Sequence, residues 1–282
     1  MPRKIAIVPA YNEAKHLRGV LETFGSRMDL VIAVNDGSRD ATPAIMAQWV
    51  AAQPRSYAID NAANAGKASA LRDGFSLAAL LLQERIIDAD DLLFTFDADG
   101  QHTVDSIDHL AEMAHRDRLD MLLTRRDFSH YPGFKKLGNW GLSLGASILG
   151  GYRYQDVECG LRVIRMERVA ELLSYYTGHK YSCEQELGVI AARLGYRIDN
   201  SYLVEVPYYR TGTKVPDGVV NLSLGVLACA RVLLGLRTSQ EGLTRRLSRK
   251  RILAGPDSPL PAALRSVSST VRGAAVPAGT TQ

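Results

Sequence analysis

Short apolar runs alternate with helix-length stretches through the first half of the chain. Five of these runs have the length and composition of strands: KIAIVPA, LVIAVND, SYAIDN, LLFTFD and LDMLLT. Continuous apolar runs of this kind are typical of strands buried on both faces. Their alternation with helical stretches predicts an α/β fold with a mostly parallel central sheet and helices on both faces. From Arg125 onward this alternation weakens.

Polar side chains follow the ends of four of these strands. They are Tyr11, Asn12 and Glu13 after the first strand, Asn35 and Asp36 after the second, Asn64 and Lys67 after the third, and Asp97 and Asp99 after the fourth. In open parallel sheets, ligands bind outside the carboxyl ends of the strands. The pattern therefore predicts a single site at this edge of the sheet.

The tripeptide Asp-Ala-Asp occurs twice, at both ends of the fourth strand, within DADDLLFTFDADGQH. At about 3.3 Å per residue, the two acidic pairs lie roughly 25 to 30 Å apart and cannot share a ligand. Asp97 and Asp99 follow the strand and belong to the predicted site. Asp88 and Asp90 precede it, and a solvated loop at the opposite edge is expected there.

The acidic pair after the fourth strand has the chemistry of a divalent-cation site. Asp97, Asp99 and Gln101 offer hard oxygen ligands, and Gly100 permits a tight turn between them. Mg2+ and Mn2+ prefer such ligands and fill the rest of their coordination sphere with phosphate and water. An isolated pair of this kind is more often a solvated acidic turn, but the convergence of four strand ends favours the metal site.

Other familiar motifs are absent or fail in context. The Gly66-Lys67 pair is followed by Ala68, so there is no GxxxxGK[ST] loop, and no GxGxxG follows the first strand. Residues 141–145 fit GxSxG, but no buried strand precedes them, as a serine hydrolase requires. Small residues that pack one helix against another explain this stretch better.

Basic residues in the second half are candidates for binding an anion. Arg126 follows the fifth strand, although a solvated basic turn explains it equally well from spacing alone. Arg210 and Lys214 lie on a loop after another apolar strand and suit an anionic ligand. Glu184 and Glu186 open a helix, where acidic residues commonly stabilise the N-terminus.

The bulk composition fits a globular protein with a basic C-terminal region. The chain has 282 residues, of which 46% are hydrophobic, and a net charge of +4. From Arg237 to Arg251, six Arg or Lys residues face the single Glu241. Residues 254–282 are small and Pro-rich and are predicted to be disordered. The first residues lack a signal-peptide pattern, so a cytoplasmic protein is expected.

Residues 219–236 form one long apolar stretch that is interrupted by Arg231. Eighteen residues barely span a bilayer, and an arginine near their middle is costly there. At about 100° per residue, the polar and the apolar residues of a helix over this stretch lie on opposite sides. The polar side contains Asn221, Ser223 and Arg231, and the apolar side contains Leu222, Val226, Leu233 and Leu236. An amphipathic helix lying in the plane of an anionic membrane is predicted, and the alternative is a helix packed on the core.

Six ordered stretches together resemble a known family. They are IVPAYNEAKHL, VNDGSRDAT, NAGKASALRDG, FDADGQH, DVECGLRV and VEVPYYRTGTK. Over about residues 4–215 they resemble the family 2 inverting glycosyltransferases of GT-A fold, in the branch of dolichol-phosphate mannosyltransferase and the bacterial polyprenyl-phosphate hexosyltransferases. The resemblance implies a Rossmann-like catalytic domain over 1–216. The residue patterns described above add an amphipathic, basic membrane-proximal segment over 217–253 and a disordered tail over 254–282.

The resemblance also implies roles for individual residues. The nucleotide-sugar would be bound by Pro9, Tyr11, Glu13, Asn35, Asp36, Lys67, Asp97, Ala98 and Asp99. The metal, Mg2+ or Mn2+, would be held by Asp97, Asp99 and Gln101. Catalysis would involve Asp97, Asp99, Asp156, Arg126, Arg210 and Lys214, with the three basic residues on phosphates of donor or acceptor. The chain has Asn35-Asp36 where the family usually has Asp-Asp, which bears on the contact with the base.

The implied activity is metal-dependent transfer of one hexose, with inversion, from a GDP- or UDP-hexose to a polyprenyl phosphate. The enzyme would act as a peripheral protein on anionic lipid at the cytosolic membrane face, and nucleic acid is not among the expected partners. An acceptor hydroxyl in cell-envelope glycan or glycolipid synthesis is the alternative, and it would need a carboxylate such as Asp156 or Glu186 as base. A nucleotide-sugar-binding protein without activity is the other alternative. Processive polysaccharide synthesis is not expected, because the family's QxxRW motif is missing.

Overall fold

The structure is a computed structural model that describes residues 1–98, 105–179, 183–205 and 215–268. Its strands are β1 (Lys4–Ala10), β2 (Leu30–Asn35), β3 (Ser56–Asp60), β4 (Leu92–Thr95), β5 (Met121–Leu123), β6 (Arg125–Arg126), β7 (Arg162–Arg165), β8 (Ile198–Asp199), β9 (Leu203–Val204) and β10 (Arg251–Ala254). Its helices are α1 (Leu17–Gly25), α2 (Thr42–Ala52), α3 (Lys67–Gln83), α4 (Ile107–Arg116), α5 (Gly133–Gly150), α6 (Met166–Tyr175), α7 (Cys183–Arg193), α8 (Val215–Leu233), α9 (Gln240–Leu247) and α10 (Ala262–Ser268).

Eight strands form the central sheet, in the order β10-β3-β2-β1-β4-β7-β5-β8. The four strands β3, β2, β1 and β4 run parallel to one another, whereas β7 is antiparallel to both of its neighbours. A separate parallel pair joins β6 to β9. The predicted α/β fold with a mostly parallel sheet is therefore confirmed, and each of the five predicted strands is present.

Alternate residues of the parallel strands enter two different hydrophobic layers. Ile5 and Ile7 of β1 pack in one layer with α3, α6 and α7, whereas Ala6 and Val8 pack in the other layer with α1, α2 and α4. Successive side chains of a strand point to opposite faces. Because both faces are covered by helices, the strand sequences are apolar throughout instead of alternating with polar residues.

The C-terminal region belongs to the same body as the sheet. Strand β10 pairs antiparallel with β3, and the Tyr57 hydroxyl donates to the Pro259 carbonyl. Helix α10 follows at 262–268. The sequence predicts disorder from residue 254. In the structure Ala254 ends β10, the Gly255 and Asp257 N–H groups donate to the Ser56 and Pro54 carbonyl oxygens, and Leu264 of α10 is buried. Residues 269–282 lie outside the described residues.

Helix α8 lies against α5 and α7 with its polar side toward the protein. Asn221 is 4% exposed, and the Arg231 Nε donates to the Tyr175 carbonyl oxygen. Leu222 and Val226 are exposed on the outer side. The helix is thus amphipathic, and it also packs on the core through Ala228 and Cys229, as the alternative predicts. Among the described helices, none combines the length and apolar character needed to cross a bilayer.

Candidate functional site

A cleft opens at the carboxyl ends of β1, β2, β3 and β4. Counted with the solvent space at its mouth, it has a volume of ≈ 610 Å³. Its lining contains Pro9, Ala10, Tyr11, Glu13, Asp36, Asn64, Gly66, Lys67, Ala70, Asp97 and Ala98. Polar residues from four separate strand ends therefore meet in one place.

The loop after β1 is held in place by the loop after β2. The Asn12 backbone N–H donates to the Ser38 hydroxyl at 2.9 Å, and the Glu13 N–H donates to the Thr42 hydroxyl at 2.9 Å. Asn12 has a positive φ of 54°, a conformation that asparagine tolerates better than most residues. These bonds fix the backbone directly after Tyr11, whose side chain stands 44% exposed at the cleft.

Asp36 organises the loop that leads into α3. Its two carboxylate oxygens accept hydrogen bonds from the backbone N–H groups of Ala65 and Gly66, at 3.0 and 2.8 Å. Burial raises the pKa of Asp36, and these two N–H donors partly oppose that rise. Gly37 has a φ of +69°, and a Cβ there would lie 2.3 Å from the Ala63 carbonyl carbon, so only glycine fits.

Asn35 lies beneath the cleft and does not line it. Its side-chain N–H donates to Asp60 at 2.7 Å, and its side-chain oxygen accepts from the Ser38 N–H at 3.0 Å. The side chain is 2% exposed. The structure thus gives Asn35 an internal supporting position, because these two bonds occupy its amide, and separates it from the other nucleotide-site candidates.

Lys67 links two carboxylates at the floor of the cleft. Its Nζ forms ion pairs with Asp97 and with Glu184, the latter at 2.7 Å. Burial lowers the pKa of Lys67, but the charges of Asp97 and Glu184 outweigh this effect and raise it well above the usual value. For Glu184, burial raises the pKa, and Lys67 and Arg162 more than offset it and hold the pKa below its usual value. Lys67 therefore stays charged beside the ionised Glu184 carboxylate.

The predicted structural role of Glu184 at the start of α7 is incomplete. Its carboxylate reaches Lys67 from a helix 117 residues further along the chain, a contact that no local pattern indicates. Next to this cluster, a Cβ at Gly160 would lie 2.6 Å from an Asp97 carboxylate oxygen. The 156–160 loop therefore approaches the Asp97 carboxylate closely, and glycine is what permits that approach.

Arg126 and Asp156 form a tight pair beside this loop. The Arg126 Nε and Nη2 donate to both Asp156 oxygens at 2.8 and 2.9 Å, and Nη2 also donates to the Asn139 side-chain oxygen. Burial lowers the pKa of Arg126, but the contact with Asp156 raises it overall, so the guanidinium is always charged. Asp156 is fully buried and engaged on both oxygens. It is thus placed to orient Arg126 and not to accept a proton from a ligand.

The neighbouring glutamates differ in their surroundings. Glu186 is fully buried, and its carboxylate accepts from the Thr177 N–H at 2.5 Å and from the Thr177 hydroxyl at 3.0 Å. Glu158 has one buried oxygen, Oε1, without a hydrogen-bond partner in the described part of the chain. Burial, reinforced by the charge of Glu184, raises the pKa of Glu158 to about 7.

The first Asp-Ala-Asp lies at the opposite edge of the sheet, as the strand direction predicts. Arg3 pairs with Asp88 and Asp91, both at 2.8 Å, and Asp90 is 83% exposed and 3.7 Å from Arg165. Asp88 and Asp90 therefore take part in surface ion pairs outside the cleft.

Several predicted site residues fall outside the described part of the chain. They are Asp99 and Gln101 beyond β4, and Arg210 and Lys214 before α8. Of the predicted metal ligands, Asp97 is described, and it lies in the cleft with one face toward Lys67. No group of three or more His, Cys, Asp or Glu side chains with metal-binding geometry occurs within the described ranges.

Comparison with known proteins gives a consistent result. A family model of glycosyl transferase family 2 matches residues 5–165. A UDP-N-acetylglucosamine–dolichyl-phosphate N-acetylglucosaminyltransferase from Methanococcus voltae is 30% identical over 66% of this chain and 79% of its own length. A dolichyl-phosphate beta-glucosyltransferase from Trichomonas vaginalis is 25% identical over 68% of this chain and 62% of its own.

Solved structures support the fold. Glucosyl-3-phosphoglycerate synthase from Mycobacterium tuberculosis, in complex with Mn2+, UDP and glucosyl-3-phosphoglycerate, superposes with a TM-score of 0.54 and 18% identity. The match covers 84% of this chain and 82% of that one. The cleft at the carboxyl edge thus belongs to a GT-A sheet, and the chain is a glycosyltransferase that belongs to glycosyl transferase family 2.

Proposed function

We propose that the protein transfers one hexose from a nucleotide-diphosphate sugar to a polyprenyl phosphate, with inversion at the anomeric carbon. The observation that carries this proposal is the cleft in which Tyr11, Asp36, Lys67 and Asp97 meet. Such a cleft combines an exposed aromatic ring, a fixed cation and a hard carboxylate oxygen, which suits a base, a diphosphate and a divalent cation. The dolichyl-phosphate sugar transferases among the relatives support the choice of acceptor.

The donor would occupy the cleft with its nucleoside near Pro9, Tyr11, Glu13 and Asp36. Since the Asp36 carboxylate already binds the loop at 65–66, its main contribution would be to hold that loop, while Tyr11 meets the base. The diphosphate would lie toward Lys67, Ala98 and Asp97.

Asp97, with Asp99 and Gln101, would hold Mg2+ or Mn2+. The carboxylate of Asp97 fits this role, because it lines the cleft and is 29% exposed. A bound cation would stabilise the negative charge that develops on the leaving diphosphate. Lys67 would add a positive charge on the same side and would keep the Asp97 carboxylate ionised and correctly oriented.

The acceptor phosphate would be bound by Arg126 together with Arg210 and Lys214. Asp156 holds the Arg126 guanidinium through both of its oxygens, so the cation is oriented before the phosphate arrives. A phosphate is an anion at neutral pH and needs no base to activate it. This agrees with the hydrogen bonds that already engage Asp156 and Glu186, either of which was a candidate base for a hydroxyl acceptor.

A hydroxyl acceptor remains the second candidate because of Glu158. Its Oε1 is buried and has no partner in the described ranges, and its pKa of about 7 suits a general base near neutral pH. In that reaction Glu158 would remove the hydroxyl proton as the oxygen attacks the anomeric carbon.

The protein would work at the cytosolic face of an anionic membrane, where a polyprenyl phosphate presents its headgroup. The basic residues at 237–251 contribute less free charge than their number indicates. Arg246 and Lys250 pair with the buried Asp73, and Arg251 lies 3.7 Å from Asp60.

The test is a transfer assay with UDP- and GDP-hexoses and two matched acceptors, a polyprenyl phosphate and the polyprenol of the same chain length. Product on the phosphate alone, dependent on a divalent cation and with inverted anomeric configuration by NMR, is expected. Product on the polyprenol would instead support the hydroxyl reaction. If no donor gave a product on either acceptor, the proposal would be refuted.

A further inference from the structure

Helix α5 exposes a continuous apolar stripe. Its members are far from buried, at 44% to 70% exposure: Phe134, Leu137, Trp140, Leu144 and Ile148. At about 100° per residue these five side chains span an arc of only about 120°. The sequence offers no hint of this exposure, since small residues in 141–145 indicated only packing between helices.

Helix α8 and the turn after it carry a second exposed apolar set. It comprises Val219, Val220, Leu222, Val226, Leu227, Leu233, Leu234 and Leu236. Among the described residues, the other large hydrophobic side chains that are exposed are Met1, Tyr11 and Leu203. Exposed apolar side chains are therefore concentrated on two helices that contact each other.

The two helices run parallel, because their contacts advance in the same direction along both. The facing pairs are Leu142 with Gly218, Gly145 with Leu222, and Leu149 with Gly225. A Cβ at Gly145 would lie 2.7 Å from the Leu222 side chain, so the glycine allows the helices to approach closely. The pairs define a seam between α5 and α8.

Both apolar sets lie on the same side of this seam. On a helical wheel of α5, the buried residues Ser143 and Ala146 lie about 100° from the seam residues, in one direction of rotation about the helix axis. Around α8, the buried residues Asn221 and Ala228 come about 80° away in the opposite sense. For parallel helices this places both buried sides together against the core. The exposed stripes consequently face outward together and form one surface, called here the α5–α8 surface.

Most charged residues next to this surface are positive. Helix α5 carries Lys135 and Lys136, and Arg237 follows the α8 set, while α8 itself has one acidic residue, Asp217, in its first turn. Lys136 is exposed, and Arg237 is 61% exposed directly after Leu236. A symmetric contact between two copies would bring like charges together, whereas anionic lipid headgroups complement them. Tryptophan and phenylalanine beside lysine are typical of side chains at a membrane interface.

We propose that the α5–α8 surface is where the protein lies on an anionic lipid bilayer, with both helices parallel to the membrane plane. The choice of lipid as the partner rests on the proposed polyprenyl-phosphate acceptor. Helix α5 supplies five of the exposed apolar residues, so binding would not depend on the 217–253 segment alone. Asn139 on α5 binds Arg126, so the surface adjoins the predicted acceptor site, and a lipid phosphate would reach that site from the bilayer.

The two tryptophans make the test direct. Trp140 is 60% exposed on the surface, whereas Trp49 is 5% exposed in the core. The intact protein is titrated with vesicles of phosphatidylcholine containing phosphatidylglycerol, without donor or polyprenyl phosphate. We expect a blue shift of the Trp140 emission, quenching by brominated lipid, and weaker binding to vesicles of phosphatidylcholine alone.

Matched substitutions distinguish vesicle binding through the α5–α8 surface from nonspecific binding of the protein to lipid. Leu137→Glu on α5 and Val226→Glu on α8 replace exposed residues and should leave the melting temperature nearly unchanged. Each is expected to weaken vesicle binding about tenfold or more, because an inserted apolar side chain becomes an anion facing anionic headgroups. Leu203→Glu, at an exposed leucine on β9, is the control and should change binding less than about twofold.

Three results would overturn the proposal. They are the absence of quenching by brominated lipid, binding of Leu137→Glu as tight as that of the wild type, or a blue shift that depends on protein concentration and not on lipid. The last would indicate a second copy on the surface. Because no donor is present, these outcomes leave the proposed reaction untouched. Vesicle binding without hexose transfer would in turn refute the proposed reaction alone.

Discussion

Replacing Lys67 with methionine should leave the buried carboxylate of Glu184 without the lysine that contacts it. In the wild type the charge of Lys67, 2.7 Å from Glu184, helps to hold the pKa of that carboxyl below its usual value of 4.5. The stabilisation is therefore present at neutral pH and is lost only as pH falls through the lowered pKa. Without Lys67, Glu184 at 9% side-chain exposure would lose the cation that contacts its carboxylate, and the charge of Arg162 would remain as a weaker compensation for burial. Its pKa would rise.

The size of the penalty has an upper limit, because Glu184 can take up a proton. Each pH unit corresponds to about 1.36 kcal/mol. From the usual pKa of 4.5, neutralising the carboxyl costs at most about 3.4 kcal/mol at pH 7 and about 0.7 kcal/mol at pH 5. We expect Lys67→Met to lower the free energy of unfolding by about 2–3 kcal/mol at pH 7, and by about 2 kcal/mol less at pH 5.

Urea unfolding at both pH values measures this difference. The double variant Lys67→Met/Glu184→Gln should recover most of the stability that Lys67→Met loses at pH 7, since the glutamine carries no charge that has to be buried. The control is Lys136→Met on the exposed face of α5, expected to change stability by less than about 0.5 kcal/mol. A loss for Lys67→Met that is equal at pH 5 and pH 7, or that the second substitution does not relieve, would refute the reasoning.

Two further predictions concern other charged groups. Arg246→Met should lower the free energy of unfolding in urea by about 1–3 kcal/mol, because Arg246 pairs at 2.5 Å with the fully buried Asp73. Arg245→Met, at the exposed neighbouring residue, should lower it by less than about 0.5 kcal/mol. Equal effects of the two substitutions would contradict the role of the Arg246–Asp73 pair. Glu158→Gln should raise stability at pH 8 by about 1–3 kcal/mol and leave it nearly unchanged near pH 5. The sign follows from the raised pKa of Glu158, about 7 in the folded protein. Between about pH 4.5 and pH 7 the folded wild type keeps a proton that the unfolded chain releases, so its stability falls as pH rises through this range. If Glu158→Gln had the same dependence of stability on pH as the wild type, this explanation would be contradicted.

The position of the site could be predicted from the sequence because it depends on strand direction. Parallel strands place all their carboxyl ends at one edge, so Tyr11, Asp36, Lys67 and Asp97 meet once the strands are identified. The same rule separates the two Asp-Ala-Asp tripeptides, since Asp90 precedes the strand that Asp97 follows. Local patterns sufficed because backbone direction alone decides the outcome.

Contacts between distant side chains could not be predicted in this way. Asn35 and Asp36 are adjacent in sequence, yet Asp36 lines the cleft and Asn35 binds beneath it. Which carboxylate reaches Lys67 depends on how α7 packs, and Glu184 is remote in sequence. Asp156 follows no strand, and only the fold reveals that Arg126 occupies both of its oxygens.

The C-terminal third shows a different limit of sequence patterns. Amphipathicity gave the two sides of α8, but not which side faces the protein. The structure turns Asn221 and Arg231 inward, where Arg231 donates to the Tyr175 carbonyl oxygen, and leaves Leu222 and Val226 exposed. After Ala254, the Gly255 and Asp257 N–H groups donate to carbonyl oxygens of Ser56 and Pro54, and a prediction of disorder from composition does not take such backbone bonds into account.

The central claim is that the cleft at the carboxyl edge binds the diphosphate of a nucleotide-sugar through Asp97. Calorimetric titration of UDP- and GDP-sugars, with and without Mn2+, tests it most directly on the wild type, Asp97→Asn and the matched Asp90→Asn. The account predicts Mn2+-dependent binding of one donor per chain that Asp97→Asn abolishes and Asp90→Asn retains. Equal binding by all three proteins, or no binding of any donor with Mn2+ present, would contradict it.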